Sequence, residues 1–377
     1  QSLKLIKYLN VEPERQDQKI SIKQQIHIPD LDQMFFESFP LFILKLLSSN
    51  ITSMSKIQEK EITTLEMEEG NYSIKSYELG SGSPICVITA GMHGDEKPAI
   101  RTAERLIGEL ENKELNGKVK IIPRSNILAC LRSVRKTPWP EFEKNESENR
   151  DLNRCFDAAL EKVKGNRHSL NITEQIAYHI LEEVKEADYY IDMHTATWTA
   201  SKELHIRYKR VKSYSKDIQE EMHNMAAHTG LEKILSVKRP QPVKGILSEI
   251  APVLEVPSIL IEIGGAKNIS KEDEKLYLET MHNILKYLEI LPGKVEKKNP
   301  KIYNSLESIY ASKPGMVELK KDKGEKVQKD DLIAEIKNKK CQTVEKIYSP
   351  VKGIVESVYC GTSANQNTRI ANIAYNS

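Results

Sequence analysis

Excess charge of either sign is missing. The chain's 56 basic residues are met by 54 acidic ones, for a formal net charge of +2 over 377 residues. Nucleic-acid binding calls for a basic excess or patch to neutralise phosphates, so no nucleic-acid partner is expected. The Lys-rich stretch from Lys294 to Lys346 is interleaved with Glu318, Asp322, Glu325, Asp330 and Asp331, the pattern of a solvated face. Cysteine is scarce as well. Cys86, Cys130, Cys155, Cys341 and Cys360 are odd in number and form no CxxC pair. That argues against a disulfide framework and against a cysteine zinc site, and a cytoplasmic location is expected. Long apolar runs are absent too. The most apolar stretch, Phe35 to Leu47, is interrupted by Glu37, Pro40 and Lys45. A membrane span needs about 20 apolar residues, so no membrane partner is expected, and the stretch reads as a buried or docking element. The start, Gln1-Ser2-Leu3-Lys4, does not read as a signal peptide, and without an initiating Met it is expected to be a processed or trimmed end.

What is present divides into three. Residues 1–55 form an extension to which no chemistry attaches. Residues 56–296 alternate strands with helices, the mark of a layered α/β domain. Glu61 to Met67 alternates as a strand, and the turn Glu69-Gly70-Asn71 predicts a hairpin with a second strand through Ile74 and Tyr77. Ile85 to Ala90 is a continuous apolar run of strand length, suited to a central strand covered on both faces, and Val119 to Pro123, Tyr189 to His194 and Ser258 to Glu262 read as further strands. Helices are predicted from about Lys97, with Pro98 in the first turn, from about Thr173, with Asn171 or Thr173 as cap, and from Lys271 to Leu288. In residues 297–377 helical periodicity gives way to short alternating strands between Gly315, Gly324, Gly353 and Gly361, a small all-β domain.

Three strand ends carry the chemistry. Gly91-Met92-His93-Gly94-Asp95-Glu96 follows one buried strand, and a His and a Glu three apart at a strand-to-helix turn can meet one cation. Alone, the pair is a weak signal: a loop histidine and an acid favoured by a helix N-terminus explain it as well. His194 ends a second buried strand, and side chains at the carboxyl ends of neighbouring strands converge in α/β sheets. His93, Glu96 and His194 would supply the three protein ligands of a catalytic zinc. Asp192 shares the strand face of His194 and could orient its imidazole. Glu262 interrupts a buried apolar strand, where a carboxylate is costly unless paired or functional. Pairing with an arginine is the plain explanation; a general base for metal-assisted hydrolysis is the functional one. Asn153 and Arg154 can bind a carboxylate, Arg135 is a candidate for polarising a carbonyl, and Arg207 could reach substrate. His205, His223 and His228 read as strand or helix residues without chemistry.

These strings, in this order, resemble the succinylglutamate desuccinylase/aspartoacylase family of the zinc carboxypeptidase superfamily. The carriers are Gly91 to Glu96, Asp151-Leu152-Asn153-Arg154, Asp192-Met193-His194-Thr195 and Glu262-Ile263-Gly264-Gly265. The resemblance implies a three-layer α/β/α domain with a mixed sheet, zinc on His93, Glu96 and His194, Glu262 as base, and Asn153 and Arg154 on the substrate's α-carboxylate. Arg135 corresponds less closely, with Arg150 as the alternative. The C-terminal part resembles the lipoyl/biotinyl barrel-sandwich that some members carry. Its hairpin tip would fall at Asn338 to Gln342, without the surroundings of a modified lysine, so no modification of Lys339 or Lys340 is expected. The domain would instead cover the active-site mouth or form a homo-oligomer contact.

The function so implied is a zinc-dependent amidohydrolase that removes an acyl group such as acetyl or succinyl from the nitrogen of an amino acid or related small molecule. A metallocarboxypeptidase would use the same residues on peptide C-termini, and a binding protein with a relict site would keep the ligands without turnover.

Overall fold

In a computed structural model of the chain, the residues described are 54–377 except 69, 139–149, 168, 196–199, 203–204, 240–241, 243 and 264–269. The expected extension, with its apolar stretch 35–47, therefore lies outside the described residues apart from Met54 and Ser55. So do 139–149 and the Gly264-Gly265 end of the last motif. Ser55 donates from Oγ to the Leu110 carbonyl at 2.8 Å, and Met54 bridges Glu114.

The first ten strands are β1 (Gln58–Met67), β2 (Gly70–Gly80), β3 (Ile85–Ala90), β4 (Lys118–Ile122), β5 (Tyr189–Thr195), β6 (Ala200–Lys202), β7 (His205–Val211), β8 (Lys233–Arg239), β9 (Ser258–Ile263) and β10 (Lys301–Tyr303). All but β6 join one sheet in the order β1-β2-β4-β3-β5-β9-β7-β8-β10. The centre, β4-β3-β5-β9, is parallel, while β1–β2, β2–β4 and β9–β7 are antiparallel, so the sheet is mixed. The central strands are apolar on both faces because helices cover both.

Alternation along the strands sorts the two layers. Cys86, Ile88 and Ala90 of β3, Ile191 and Met193 of β5, and Ile259, Ile261 and Ile263 of β9 pack on one face. They meet α1 (Lys97–Leu110), α5 (Lys216–Ala227) and α7 (Lys271–Tyr287) through Leu106, Met222 and Ile284. Val87 and Tyr190 point the other way, onto α3 (Phe156–Val163), α4 (Ile172–Lys185) and α6 (Leu247–Ile250). The short α2 (Ile127–Arg132) completes the set, N-capped by Asn126. α1 begins with proline in its first turn as predicted, and buries Ile100, Leu106, Ile107 and Leu110; each such side chain is worth about 1.5–3 kcal/mol when fully buried. Of the two caps offered for α4, Asn171 is the one used: it accepts from the Glu174 N–H while Glu174 reaches back to the Asn171 N–H, a reciprocal capping box.

The C-terminal strands are β11 (Ser305–Tyr310), β12 (Gly315–Leu319), β13 (Lys326–Val327), β14 (Leu332–Lys337), β15 (Thr343–Tyr348), β16 (Gly353–Tyr359), β17 (Ser363–Ala364) and β18 (Arg369–Tyr375). They make two antiparallel sheets, β11-β18-β16-β13 and β15-β14-β12-β17, around Ile309, Val327, Ile333, Ile336, Val355 and Ile373. The β14–β15 turn, Asn338 to Gln342, is where the hairpin tip was expected. β6 leaves the main sheet and pairs with β16, Ala200 to Lys202 against Tyr359 to Ser357. Residues 52–377 form one unit. Among the described residues no helix is long and apolar enough to cross a membrane.

Candidate metal centre

The carboxyl ends of β3 and β5 bring three buried side chains together. The ligating atoms of His93, Glu96 and His194 all lie within 4.8 Å of one another. His93 and Glu96 arrive on the turn that follows β3. Gly91 enters it at φ +70°, a left-handed conformation that suits glycine. Gly94 passes so close to α2 that an added Cβ would fall 2.0 Å from the Ala129 carbonyl carbon. Gly94→Ala is therefore expected to cost about 1–3 kcal/mol or more through overpacking against backbone. It should be read as a lowered Tm, and an unchanged Tm would mean that the turn is less constrained than its packing implies.

Glu96 stands at the N-cap of α1 but makes no side-chain cap hydrogen bond. Its carboxylate instead bridges the two imidazoles: Oε1 is 2.8 Å from His93 Nδ1 and Oε2 is 2.9 Å from His194 Nδ1. The Thr195 N–H also donates to Oε2 at 3.1 Å. The far nitrogen of each ring faces another acid. His93 Nε2 is 3.0 Å from Asp151 Oδ1, and His194 Nε2 is 3.0 Å from Asp192 Oδ2. Asp192, fully buried, accepts at Oδ1 from Thr89 Oγ1 at 3.0 Å. With that proton committed, Tyr190 donates its hydroxyl to Thr89 at 2.6 Å. The chain Tyr190–Thr89–Asp192 thus fixes the orientation of His194 from the same face of the sheet.

The electrostatics follow from this packing. Burial opposes ionisation of Glu96, yet the two imidazoles outweigh it and hold the carboxyl well below the usual carboxylate range. Burial likewise opposes a charged His194, but Asp192 and Glu96 prevail and raise its pKa well above the ordinary value. His93 is raised in the same way by Glu96 and Asp151. Three carboxylates around two imidazoles make a buried cluster that attracts positive charge. Two Nδ1 atoms converge on one carboxylate while their Nε2 atoms are taken by acids, a donor set that fits a divalent cation of the zinc type.

The other sequence candidates surround this cluster. A cavity of about 490 Å³ is lined by His93, Glu96 and His194 together with Glu262, Arg135, Asn153, Arg154 and Arg207. Glu262, 6% exposed, sits on β9 directly beside His194 in register. Asn153 and Arg154 come from a short 3-10 turn, Leu152–Arg154. Asn153 is tied down by the Leu247 N–H, which donates to its Oδ1 at 3.1 Å, and its Nδ2 lies 3.3 Å from His194 Nε2. Arg135 spans Glu96 Oε1 at 3.5 Å and Asp151 Oδ2 at 3.3 Å. Arg150, the alternative to it, is exposed and outside the lining. His223 meets the Tyr208 hydroxyl and His228 stacks on Tyr287, both away from the cluster. None of the five cysteines is in a disulfide, and burial pushes the Cys130 and Cys155 thiols up to about 12, which leaves those two poor nucleophiles.

Several residues of the site carry no sequence signal of their own. Asp151 lies in a quoted motif, but nothing in the string shows that it would meet His93. His205, read as an ordinary strand residue, is the β7 register partner of Glu262. Leu306, Ser357, Arg369 and Asn372 of the C-terminal β domain also line the cavity.

Residues 83–288 match the family described as "Succinylglutamate desuccinylase/Aspartoacylase catalytic domain", and residues 307–373 match "Biotin-requiring enzyme". One relative is the N-alpha-acetyl-L-2,4-diaminobutyric acid deacetylase of Halomonas elongata, 28% identical over 113 residues. That match spans 30% of this chain and 28% of the relative's length. The fold is shared with the product-bound Ectoine utilization protein EutE (DoeB) from Ruegeria pomeroyi, at TM-score 0.72 and 17% identity, over 86% of this chain and 96% of that one. A succinylglutamate desuccinylase from Silicibacter sp. TM1040 gives TM-score 0.73 and 17% identity over the same shares.

Proposed function

We propose, from the premise that the chain belongs to the succinylglutamate desuccinylase/aspartoacylase family, that it is a zinc-dependent amidohydrolase of N-acyl amino acids. The observation that carries this reading is the buried His93–Glu96–His194 cluster with the Glu262 carboxylate beside it in register. A zinc ion held by these three side chains would supply Lewis acidity toward the scissile carbonyl and make a water molecule acidic enough to deprotonate near neutral pH.

The chain's own residues do the rest. Glu262 takes a proton from the attacking water as its oxygen bonds to the acyl carbon, and passes that proton to the amide nitrogen as the C–N bond breaks. The products are a carboxylic acid and a free amine. Arg135 donates to the oxygen that gains charge at the acyl carbon. Arg154, with Asn153 beside it, binds the α-carboxylate. Asp151 and Asp192 keep the imidazoles turned so that both Nδ1 atoms face Glu96. The domain division that accompanies this reading is an extension over 1–55, the hydrolase over 56–296 and the β domain over 297–377. A cytoplasmic location, and a β domain that covers the active-site mouth or forms a homo-oligomer contact, belong to the same proposal.

The test is amine release by zinc-loaded protein from N-acetyl and N-succinyl amino acids, run beside short peptides. Release from the acyl amino acids supports the reading. Release from peptide C-termini alone would replace it with a carboxypeptidase, and zinc binding without turnover on either set would leave a binding protein.

A further inference from the structure

The β domain does more than cover the cavity. Its β16 pairs with β6, the strand that follows His194 in the chain after only a few residues, so its sheet is bonded to the hydrolase beside the metal centre. Two irregularities lie where that sheet meets the cavity. Between β16 and β18, Val355 pairs with Ile373 and Ser357 with Asn372, so Glu356 is an extra residue. Between β11 and β18, Ile309 pairs with Ala371 and Tyr310 with Arg369, so Ile370 is extra in the second strand. Such bulges re-aim side chains and are concentrated next to active sites.

Here they gather a polar group. Strict alternation would put Arg369 and Asn372, three residues apart, on opposite faces. The bulge at Ile370 returns Arg369 to the face of Asn372, and both line the cavity. Asn372 is locked. Its Nδ2 donates to Glu356 Oε2 at 3.0 Å and to Ser357 Oγ at 2.9 Å, and its Oδ1 accepts from Ser308 Oγ at 2.8 Å. Glu356, 3% exposed, also lies 3.5 Å from Arg207 Nη2 of β7, at the boundary of the two domains.

The charges on the lining are unequally matched. Arg207 faces Glu356, and Arg135 faces Glu96 and Asp151. Arg369 has no acid within ion-pair reach among the described residues and remains open to the cavity. An exposed arginine that a bulge places on the cavity wall, on the face of a locked amide, is a ready fork for a carboxylate.

We propose that Arg369 is a specificity-determining residue that binds a second carboxylate of the substrate, beyond the α-carboxylate assigned to Asn153 and Arg154. This rests on the amidohydrolase reading. The enzyme accordingly prefers an N-acyl amino acid with an extra acid group to one with a neutral or cationic side chain. That acid can come from the amino acid or from a dicarboxylic acyl group.

The experiment compares kcat/KM for N-acetylalanine, N-acetylaspartate, N-succinylalanine and N-acetyl-2,4-diaminobutyrate in the zinc-loaded wild type and in Arg369→Ala and Arg369→Lys. The wild type is expected to favour one of the two diacids, and which one is favoured names the source of the acid. Arg369→Ala is expected to lower kcat/KM for that diacid about 10- to 100-fold more than for N-acetylalanine, as losing a hydrogen bond to a charged group does. Arg369→Lys should restore part of the difference, which a structural role would not predict. A preference for the cationic substrate, or an equal loss on all four, overturns the proposal. Calorimetric titration of the wild type and Arg369→Ala with succinate separates the two readings. Weaker succinate binding by the variant upholds the site even if no substrate is turned over, in which case the hydrolase reading alone fails. Equal binding overturns the site.

Discussion

Glu262→Gln is expected to lower the rate of amine release by about 10²- to 10⁴-fold, the range that a positioned general base contributes. Zinc content should stay at the wild-type level. Glutamine keeps the shape and a polar end but cannot accept the proton that must leave water and reach the amine. Nothing else on the strand can take over: Ile261 and Ile263 flank Glu262 and point into the opposite core. Register holds the side chain beside His194, so the substitution should leave the cluster in place. Metal analysis and steady-state rates on one preparation decide it. Full activity would remove Glu262 from the proton path. Lost zinc with lost activity would make it a ligand instead of a base.

His194→Ala should have the second large effect, on metal affinity. The substitution removes one of three donors. Structural zinc sites bind with about 10–16 kcal/mol, so one donor is worth on the order of 3 kcal/mol, or about a hundredfold in Kd. The cost is compounded locally, because Glu96 Oε2 loses its imidazole partner and Asp192 loses its contact with Nε2 while both remain buried. Competition against a chromogenic chelator measures the affinity directly. A Kd within threefold of wild type would exclude His194 from the ligand set.

That His93, Glu96 and His194 would come together was largely legible in the sequence, and the reason is physical. These residues sit where apolar runs stop. Ile85 to Ala90 and Ser258 to Ile263 are mostly apolar strands because helices cover both faces, and a charged residue at or just past their ends is conspicuous. His194 stands out for the same reason at the end of Tyr189–Thr195. The β-domain wall was not legible. Period-2 alternation assigns Arg369 to the wrong face, and only the bulge at Ile370, defined by pairing with a strand some 60 residues earlier, reverses that assignment. Asp151 was equally hidden, since its contact with His93 bridges 58 residues through tertiary packing. His205 looks like any alternating strand residue until β7 is placed antiparallel to β9, which sets it across from Glu262. Local pattern thus located the ends of strands, whereas pairing across the sheets decided which further side chains face the cavity.

The most direct test of the central claim is a titration. Chelated protein is given zinc in steps, and amine release from an N-acyl amino acid is followed at each step. The account predicts no release without metal, a rise that follows zinc uptake, and a plateau at one equivalent per chain. Release at the full rate from the metal-free protein, or none at saturating zinc from any acyl amino acid offered, would contradict it.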